Sequence, residues 1–307
     1  MNHNLCPSYR PRHAPRQPDL LNNLIRERIN SIFGGRPWPF GKPRLGIWLA
    51  GGGADDIVGI GANSKTRLRC CGIMQIKMPY LPVDFPVPDW SPCDRPPRTD
   101  MVGRYCRLEP LDVGTHAHDL YRAYCADLED RIWTYLSCGP FDGFQAYRAW
   151  VEISCLGDDP QFHAVIDMAL GKAVGVASYM RIDPDNGVME VGNINYSPAL
   201  QRSAAGTEAM YLMMKRAFDE LGYRRYEWKC DNLNAGSKRA AARYGFTYEG
   251  LFRQALIYKG RNRDTAWFAI IDKDWSAIKY AFEAWLSPVN IGEDRRQNKP
   301  LSDFIQM

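Results

Sequence analysis

The stretch VMEVGNINY, Val188–Tyr196, is followed four residues later by QRSAAGTE, Gln201–Glu208. The first segment is a short run rich in apolar and β-branched residues, which predicts a strand. The second consists mainly of small residues and leads into a predicted helix over Thr207–Leu221, whose apolar side chains recur every three or four positions. A strand, a loop of small residues and a helix in this order predict the central crossover of an α/β domain.

The loop between this strand and helix suits the binding of a pyrophosphate. Several backbone N–H groups are exposed there at the positive end of the helix dipole, and bulky side chains would block the close approach of an anion. Ser203, Ala204, Ala205 and Gly206 meet this requirement, and Arg202 adds a full positive charge. The composition of the loop by itself fits a plain tight turn before a core helix equally well.

Patterns on both sides of this unit predict the rest of a mixed α/β fold. Apolar periodicity and turn residues give the order β-α-α-β-β-β-α-β-α-β-β-α, with hairpins before and after the crossover. Asp142 is the expected N-cap of the second helix, and Gly222 and Gly245 are expected to end two later ones. The other predicted strands are 104–110, 162–168, 173–182, 225–230, 246–258 and 265–271, and the other predicted helices are 115–128, 143–156, 235–244 and 275–286.

Three regions of the chain differ in composition. Residues 1–99 are predicted to be a largely irregular, basic, Pro-rich N-terminal extension, residues 100–290 the folded domain, and residues 291–307 a C-terminal tail. A basic arm binds nucleic acid or an anionic membrane in some proteins and is only a solvated tail in most. One interpretation places the functional start of the chain nearer to Met74, Met78 or Met101.

Composition also limits the class of protein. The apolar fraction of 45% and the charged fraction of 24% are those of an ordinary soluble globular protein. No run of about 18 apolar residues predicts a membrane span, and the N-terminus lacks the apolar core of a secretory signal. The nine cysteines form no C-x-x-C pair, which is typical of reduced thiols in a cytoplasmic protein and argues against a zinc site. No metal is expected.

The small-residue loop resembles the coenzyme A signature of the GNAT superfamily of N-acetyltransferases, Q/R-x-x-G-x-G/A. Gln201 stands at the first position, Ala204 at the position of the first glycine and Gly206 at the last. Ala204 differs from the glycine that the signature has at this position, although alanine has the smallest side chain that could replace glycine. The resemblance implies a splayed central β-sheet flanked by helices, with acetyl-CoA as the acyl donor.

A second block strengthens the resemblance. The sequence CDNLNAGS at Cys230–Ser237, followed by KRAAARYGF at Lys238–Phe246, is similar to the N-x-x-S…G-F block of the RimJ/RimL branch. Members of that branch acetylate amines and protein N-termini. The two blocks stand in the expected order, and the resemblance covers about residues 101–287.

The resemblance implies positions for acetyl-CoA. The pantetheine arm would pair with the strand backbone near Ile194–Tyr196, and a backbone N–H near Asn193 or Ile194 would polarise the thioester carbonyl. The pyrophosphate would sit on the amides of the loop, and Asn234 would bond a pantetheine amide. The implied cofactor-binding residues are Asn193, Ile194, Asn195, Tyr196, Gln201, Arg202, Ser203, Ala204, Ala205, Gly206, Thr207, Asn234 and Ser237.

Acetyl transfer to an amine needs a base and an acid, because only a free amine attacks the thioester. Glu190 lies on the splayed strand and would take the proton directly or through water. If it faces solvent at the sheet edge, it is only a surface carboxylate. Many GNAT enzymes protonate the leaving thiolate with a Tyr seven residues after the Asn, but Ala241 stands there. Ser237 is the candidate that remains, with Tyr244 behind it, although a Ser at a helix start is often only a cap.

The acceptor pocket is the least defined part of the predicted site. Trp133, Tyr135 and Phe141 are candidates for its walls and, alternatively, for core packing. The sequence thus predicts an acetyl-CoA-dependent N-acetyltransferase that modifies a primary amine of a small molecule or a protein N-terminus in a ternary complex. Two rivals remain: a non-catalytic GNAT-fold module that binds acyl-CoA, and a nucleic-acid-associated protein that acts through its basic arm. The expected partners are acetyl-CoA and an amine, without a membrane; nucleic acid is not expected, and a homodimer is left open.

Overall fold

A sheet of eight strands organises the part of the chain that the computed structural model describes, residues 83–292 and 296–305. All of these residues belong to one unit, Pro82–Met307. The strands are β1 Met101–Val102, β2 Cys106–Pro110, β3 Gln161–Asp167, β4 Lys172–Asp183, β5 Val188–Tyr196, β6 Arg225–Asp231, β7 Thr247–Tyr258 and β8 Arg261–Ile271. Their order in the sheet is β1-β2-β3-β4-β5-β6-β8-β7. Strands β5 and β6 run parallel, and the other neighbouring pairs are antiparallel.

Helices cover both faces of this sheet. The first helix packs against β4 and the second packs against the first, whereas the third and fifth pack together on the opposite face. Alternate residues of β3 point to the two layers of helices. Ala164 and Ile166 belong to the apolar cluster on one face of the sheet, and Val165 belongs to the cluster on the other face. The α-helices are α1 Val113–Tyr124, α2 Phe144–Ser154, α3 Ala204–Lys215, α4 Ala235–Arg243 and α5 Asp272–Trp285. Helix α3 continues into a π-helical turn over Arg216–Glu220.

The sheet opens between β5 and β6. Their pairing runs only from Val188 opposite Arg225 to Val191 opposite Trp228, although β5 continues for five more residues. On its other side, β6 stays paired with β8 over its whole length. The segment Gly192–Tyr196 therefore pairs with β4 on one side and has no strand beside it on the side towards β6. The predicted splay of the sheet is confirmed.

The predicted fold class is confirmed, and a few local details differ. The prediction that Asp142 caps α2 is wrong, since Gly143 is the N-cap and no side chain bonds to the first turn. The φ angle of Gly143 is +93°, a conformation that only glycine adopts without strain. Helix α3 begins at Ala204, earlier than predicted, because Ser203 caps it. Strand β1 was not predicted, because two residues are too few to show a pattern.

Residues 90–100 have no regular secondary structure, but they lie against the domain. The Trp90 indole donates to a carbonyl of the β4–β5 turn (2.8 Å), and the Tyr223 hydroxyl donates to the Asp94 carbonyl (3.1 Å). The Arg216 guanidinium donates to two carbonyls of residues 99–100. The predicted domain boundary at residue 99 stays a prediction. The predictions for residues 1–82, including the irregular extension, the basic arm and the alternative starts before residue 83, lie outside the described residues.

His163 makes the stability of this fold depend on pH. The residue is fully buried on β3, and burial, aided by the charge of Arg216, lowers the pKa of its imidazole to about 4. In the unfolded chain the pKa is about 6.5, so the unfolded state binds the proton first, and stability falls as the pH drops from about 6.5 towards 4. Between about pH 7 and pH 5, the protonation of His163 should lower the unfolding free energy of the wild type by about 2 kcal/mol. His163→Leu should not show this part of the decrease. Urea denaturation at the two pH values measures the difference.

His118 offers the matched control for this experiment. Its side chain is exposed on α1, and His118→Leu should leave the full pH dependence in place. An unchanged loss of stability in the His163 variant would show that other groups are responsible for it.

Candidate active site

The opening in the sheet begins with an irregularity in β5. Asn193 has a φ angle of +50°, and the pairing with β4 shifts there, from Ser178 opposite Gly192 to Val176 opposite Asn195. The Ser178 hydroxyl donates to the Gly192 carbonyl (3.1 Å), and the Asn193 amide donates to the same hydroxyl (3.0 Å). These bonds fix the backbone at the point where β5 loses its parallel neighbour.

The loop before α3 forms a closely packed turn. The hydroxyl of Ser203 accepts from the Gly206 N–H (2.9 Å) and donates to the Leu200 carbonyl (2.7 Å). Arg202 has a φ angle of +58°. A Cβ atom on Gly206 would lie 2.7 Å from the Leu200 carbonyl oxygen, which is closer than real Cβ contacts come. The turn therefore requires glycine at position 206 for space.

Two N–H groups of this turn have no hydrogen-bond partner within it. Gly206 and Thr207 donate to Ser203 inside the turn. In contrast, the N–H groups of Ala204 and Ala205 have no acceptor among the described residues. Of the predicted pyrophosphate contacts, these two amides and the exposed Arg202 side chain fit an anion best, at the positive end of the α3 dipole.

Two side chains connect the end of β5 to this turn. The Gln201 amide donates to the Tyr196 carbonyl (2.8 Å), and the Tyr196 hydroxyl donates to the Gly206 carbonyl (3.2 Å). Gln201 and Tyr196, both predicted to bind the cofactor, thus shape the loop directly. Burial raises the pKa of the Tyr196 phenol well above its usual value, so the phenol remains a hydrogen-bond donor.

Glu190 is a buried carboxylate between two cations. One oxygen, Oε2, lies 2.5 Å from Arg181 Nη1 and 2.9 Å from Lys229 Nζ. Lys229 also contacts Glu227 Oε2 (2.6 Å) and lies over the ring of Trp267, 3.8 Å from its centroid. The second oxygen of Glu190, Oε1, has no hydrogen-bond donor in the described part of the chain. Glu190 is only 3% exposed, so it is not a solvent-facing carboxylate at the sheet edge.

Strand register places Glu190 on the same face of the sheet as a cavity. Glu190 is opposite Met180, and Asn195 is opposite Val176; directly opposed residues point to one face. Residues 176 and 180 lie an even number of positions apart on β4, so both pairs share a face. That face carries α1 and α2.

The cavity between α1, α2 and the sheet has a volume of about 250 Å³. Val176, Asn193 and Asn195 line it from the sheet, and all of its lining side chains are uncharged. The aromatic residues in its walls are Tyr124, Trp133, Tyr147, Trp150 and Phe162.

The three predicted acceptor residues lie in different places. Trp133 lines the cavity. Phe141 packs against Trp133, with ring centroids 5.3 Å apart, outside the lining. The Tyr135 hydroxyl donates to the Leu233 carbonyl (3.0 Å), beside Asn234. Sequence reasoning missed Tyr124, Tyr147 and Trp150 as cavity residues, because aromatic residues on the inner face of a helix look the same as core residues.

Asn234, Ser237 and Tyr244 belong to the opposite face. The Asn234 side chain caps α4 by accepting from the Ser237 N–H (2.9 Å), and the Ser237 hydroxyl accepts from the Trp228 indole (2.9 Å). Tyr244 packs against Trp228 with ring centroids 6.1 Å apart, and burial raises the pKa of its phenol. Trp228 pairs with Val191, the neighbour of Glu190, so its side chain points away from the Glu190 face. No contact among the described residues joins Glu190 to Ser237 or Tyr244.

Sequence reasoning also missed the cations around Glu190. Arg181 precedes a turn and Lys229 lies 39 positions beyond Glu190 on β6. The one available signal was the alternation of charged and aromatic residues in Arg225–Lys229, which places Glu227 and Lys229 on one face.

Two features are absent from the described residues. No group of three or more His, Cys, Asp or Glu side chains within 83–292 and 296–305 is arranged to hold a metal ion. Over the same ranges, no helix has both the length and the apolar composition that a membrane crossing requires.

Comparison with known proteins gives consistent matches over this domain. Residues 106–247 match the family described as "Acetyltransferase (GNAT) domain". A GCN5-related N-acetyltransferase from Brucella melitensis is 45% identical, covers 71% of this chain over 99% of its own length, and superimposes with a TM-score of 0.69. A GNAT-family protein from Chromobacterium violaceum ATCC 12472 is 38% identical, with coverages of 65% and 99% and a TM-score of 0.60. No curated protein matches the chain.

Proposed function

The chain belongs to the GCN5-related N-acetyltransferase (GNAT) family, and from this premise we propose that it transfers an acetyl group from acetyl-CoA to a primary amine. Acetyl-CoA-dependent acetyl transfer is the activity that the family implies. The observation that carries the proposal is the opening beside Gly192–Tyr196. The buried carboxylate of Glu190 precedes this segment in β5, and the loop with the two unpaired amides of α3, Ala204 and Ala205, follows it. The amine as acceptor, and a protein N-terminus in particular, go beyond the family assignment.

The residues at the opening fit acetyl-CoA. The free strand edge of β5 offers backbone groups to the pantetheine amides, as an added strand would pair. The Ala204 and Ala205 amides and Arg202 hold the pyrophosphate, and the absence of a side chain at Gly206 keeps the turn in shape. Asn234 uses its Oδ1 in the helix cap and keeps its Nδ2 for a pantetheine carbonyl.

Glu190 is the proposed base. The two cations on Oε2 fix the position of the carboxylate, and Oε1 remains open to accept a proton from the ammonium directly or through one water. The proton leaves before the nitrogen lone pair attacks the thioester carbonyl. Glu190 and the cavity share a face of the sheet, so the proposal places the amine of the acceptor at Glu190 Oε1 and the rest of the acceptor towards the cavity.

Ser237 is the proposed acid for the leaving thiolate. The Trp228 indole donates to the Ser237 oxygen, which orients the hydroxyl. The Ser237 hydroxyl also has a side-chain hydrogen bond with Cys230, so its hydrogen would have to turn from Cys230 to the leaving thiolate. Tyr244 is the second candidate; its raised pKa keeps it protonated, but it is 8% exposed and packs in the core. In this proposal the base and the acid lie on opposite faces of the sheet, on either side of the opening.

No observation favours the alternative of a non-catalytic acyl-CoA-binding module. The RimJ/RimL assignment, the cytoplasmic location and a homodimer remain predictions.

Calorimetric titration of the full chain with acetyl-CoA, followed by a thiol-release assay, tests the proposal. We expect saturable binding at micromolar to submillimolar concentrations and release of CoA thiol that depends on a primary amine. Matched alcohols in place of the amines serve as the control and should release none above the rate of hydrolysis. Absence of binding at near-millimolar acetyl-CoA, or release with alcohols alone, would refute an N-acetyltransferase.

A further inference from the structure

The cavity behind Asn193 is larger than the chain needs for its own packing. Its volume of about 250 Å³ far exceeds the ~15 Å³ that one water requires. Its walls are fixed by ring contacts, such as Tyr147 with Trp150 (centroids 5.9 Å apart) and Trp150 with Phe162 (6.4 Å). A preformed aromatic cavity of this kind suits a flat or branched apolar group.

Charge is absent from the lining of this cavity. A carboxylate, phosphate or second ammonium inside it would lose its hydration without meeting a charged wall residue, which is costly. The Lys259 ammonium lies outside the lining, where it donates to the Trp133 carbonyl (2.7 Å). The ionic groups of the site, Glu190, Arg181 and Lys229, form their own cluster on the same face of the sheet. The reacting amine therefore belongs near Glu190, and an uncharged part of the acceptor belongs inside.

Asn195 is a buried polar residue of the cavity lining whose side chain has no partner within the described residues. Asn195 is 3% exposed, and neither its Nδ2 nor its Oδ1 has a hydrogen-bond partner among the described residues. Its backbone is held, because the Tyr124 hydroxyl donates to the Asn195 carbonyl (3.2 Å). Buried amides are nearly always paired, and an unpaired one costs about 1–3 kcal/mol. A ligand that both donates and accepts would pair it.

From these features we infer that the acceptor inserts an uncharged aromatic group with a carboxamide or hydroxyl end into this cavity, where Asn195 binds that polar end. The inference rests on the proposed function, since it names the substrate class of the same site. It makes Asn195 a residue that determines specificity, in addition to the predicted pairing of its backbone with pantetheine.

Fragment binding tests the inference without any need for catalysis. Benzamide, toluene and benzoate share a ring and differ in the polar end, and their dissociation constants for the full chain can be measured by ligand-observed NMR. We expect benzamide to bind about 5- to 100-fold more tightly than toluene and benzoate to bind most weakly. In Asn195→Leu, which keeps a similar volume, the advantage of benzamide over toluene should disappear, and in Asn195→Ser part of it should remain.

A second measurement links this preference to acetyl transfer. The ratio of kcat/KM for tyramine to that for phenethylamine should exceed about fivefold and fall to about one in Asn195→Leu; each ratio cancels effects on acetyl-CoA binding. The inference would be overturned if benzoate bound as tightly as benzamide, or if the ranking of the fragments were unchanged in the leucine variant. Acetyl transfer only to amines with charged tails would overturn it too. If the leucine variant does not fold, the wild-type ranking and the serine variant decide. Failure of the proposed function would appear differently, as absence of acetyl-CoA binding while the fragments still rank as expected.

Discussion

Glu190→Gln should lower kcat by about 10²- to 10⁴-fold and change the dissociation constant of acetyl-CoA by less than about threefold. Glutamine has the shape of glutamate but cannot accept a proton at Oε1. The turnover deficit should narrow as the pH rises, because more of the amine is then already deprotonated in solution. Steady-state kinetics over a range of pH, together with calorimetric titration of acetyl-CoA, measure both effects.

Glu227 provides the matched control for this variant. It also contacts Lys229 (2.6 Å) and stands opposite Glu190 on β6, so Glu227→Gln disturbs the same charge cluster. We expect it to retain kcat within about tenfold, because it leaves the Glu190 carboxylate in place. Equal losses of kcat in the two variants would assign the ion pairs a structural role and remove Glu190 as the base. A lower melting temperature in Glu190→Gln is expected from the loss of its buried ion pairs and does not decide the role of Glu190.

Gly206→Ala should weaken acetyl-CoA binding by about 10- to 100-fold, equivalent to roughly 1.4–2.8 kcal/mol. The new methyl group would lie 2.7 Å from the Leu200 carbonyl oxygen and 3.2 Å from Tyr196 Cε2. Because the first of these neighbours is backbone, relief requires the turn to move, and the Ala204 and Ala205 amides move with it. Gly206→Trp should abolish binding by filling the loop. Calorimetric titration gives both affinities.

Gly250→Ala tests whether the effect is specific to the loop. Nothing lies within 4 Å of a Cβ atom at Gly250 on β7, so this variant should bind acetyl-CoA as the wild type does. A Gly206→Ala protein with unchanged affinity would place the pyrophosphate somewhere other than the start of α3.

Much of the fold follows from local patterns. The β5 boundaries, Val188–Tyr196, agree with prediction, because a short apolar run bounded by turns is a local property. The second block predicted α4, but its cap was not foreseen: Ser237 was the residue considered as a cap, whereas the Asn234 side chain caps the helix by accepting from the Ser237 N–H. The role of Asp142 was mispredicted, because the choice between Asp and Gly at a cap depends on backbone geometry that the sequence does not state.

The candidate site was predictable only in part. The loop at Arg202–Gly206 is a local feature, and its small residues indicated it without any tertiary information. The sequence could not show that Gly206 and Thr207 use their N–H groups inside the turn, because that depends on the rotamer of Ser203. Likewise, Trp133 could be named as an aromatic wall, but whether it lines a cavity depends on how α1 and α2 pack on the sheet.

The segment Val188–Glu208 by itself determined a strand, a small-residue loop and a helix, and with them the resemblance to an acetyl-CoA-binding family. Tertiary structure alone decided that Arg181 and Lys229 hold Glu190, and that Asn195 faces an uncharged aromatic cavity. The physical reason is strand register. Local sequence sets which residues alternate along a strand, whereas the pairing of β4, β5 and β6 sets which side chains meet across the sheet.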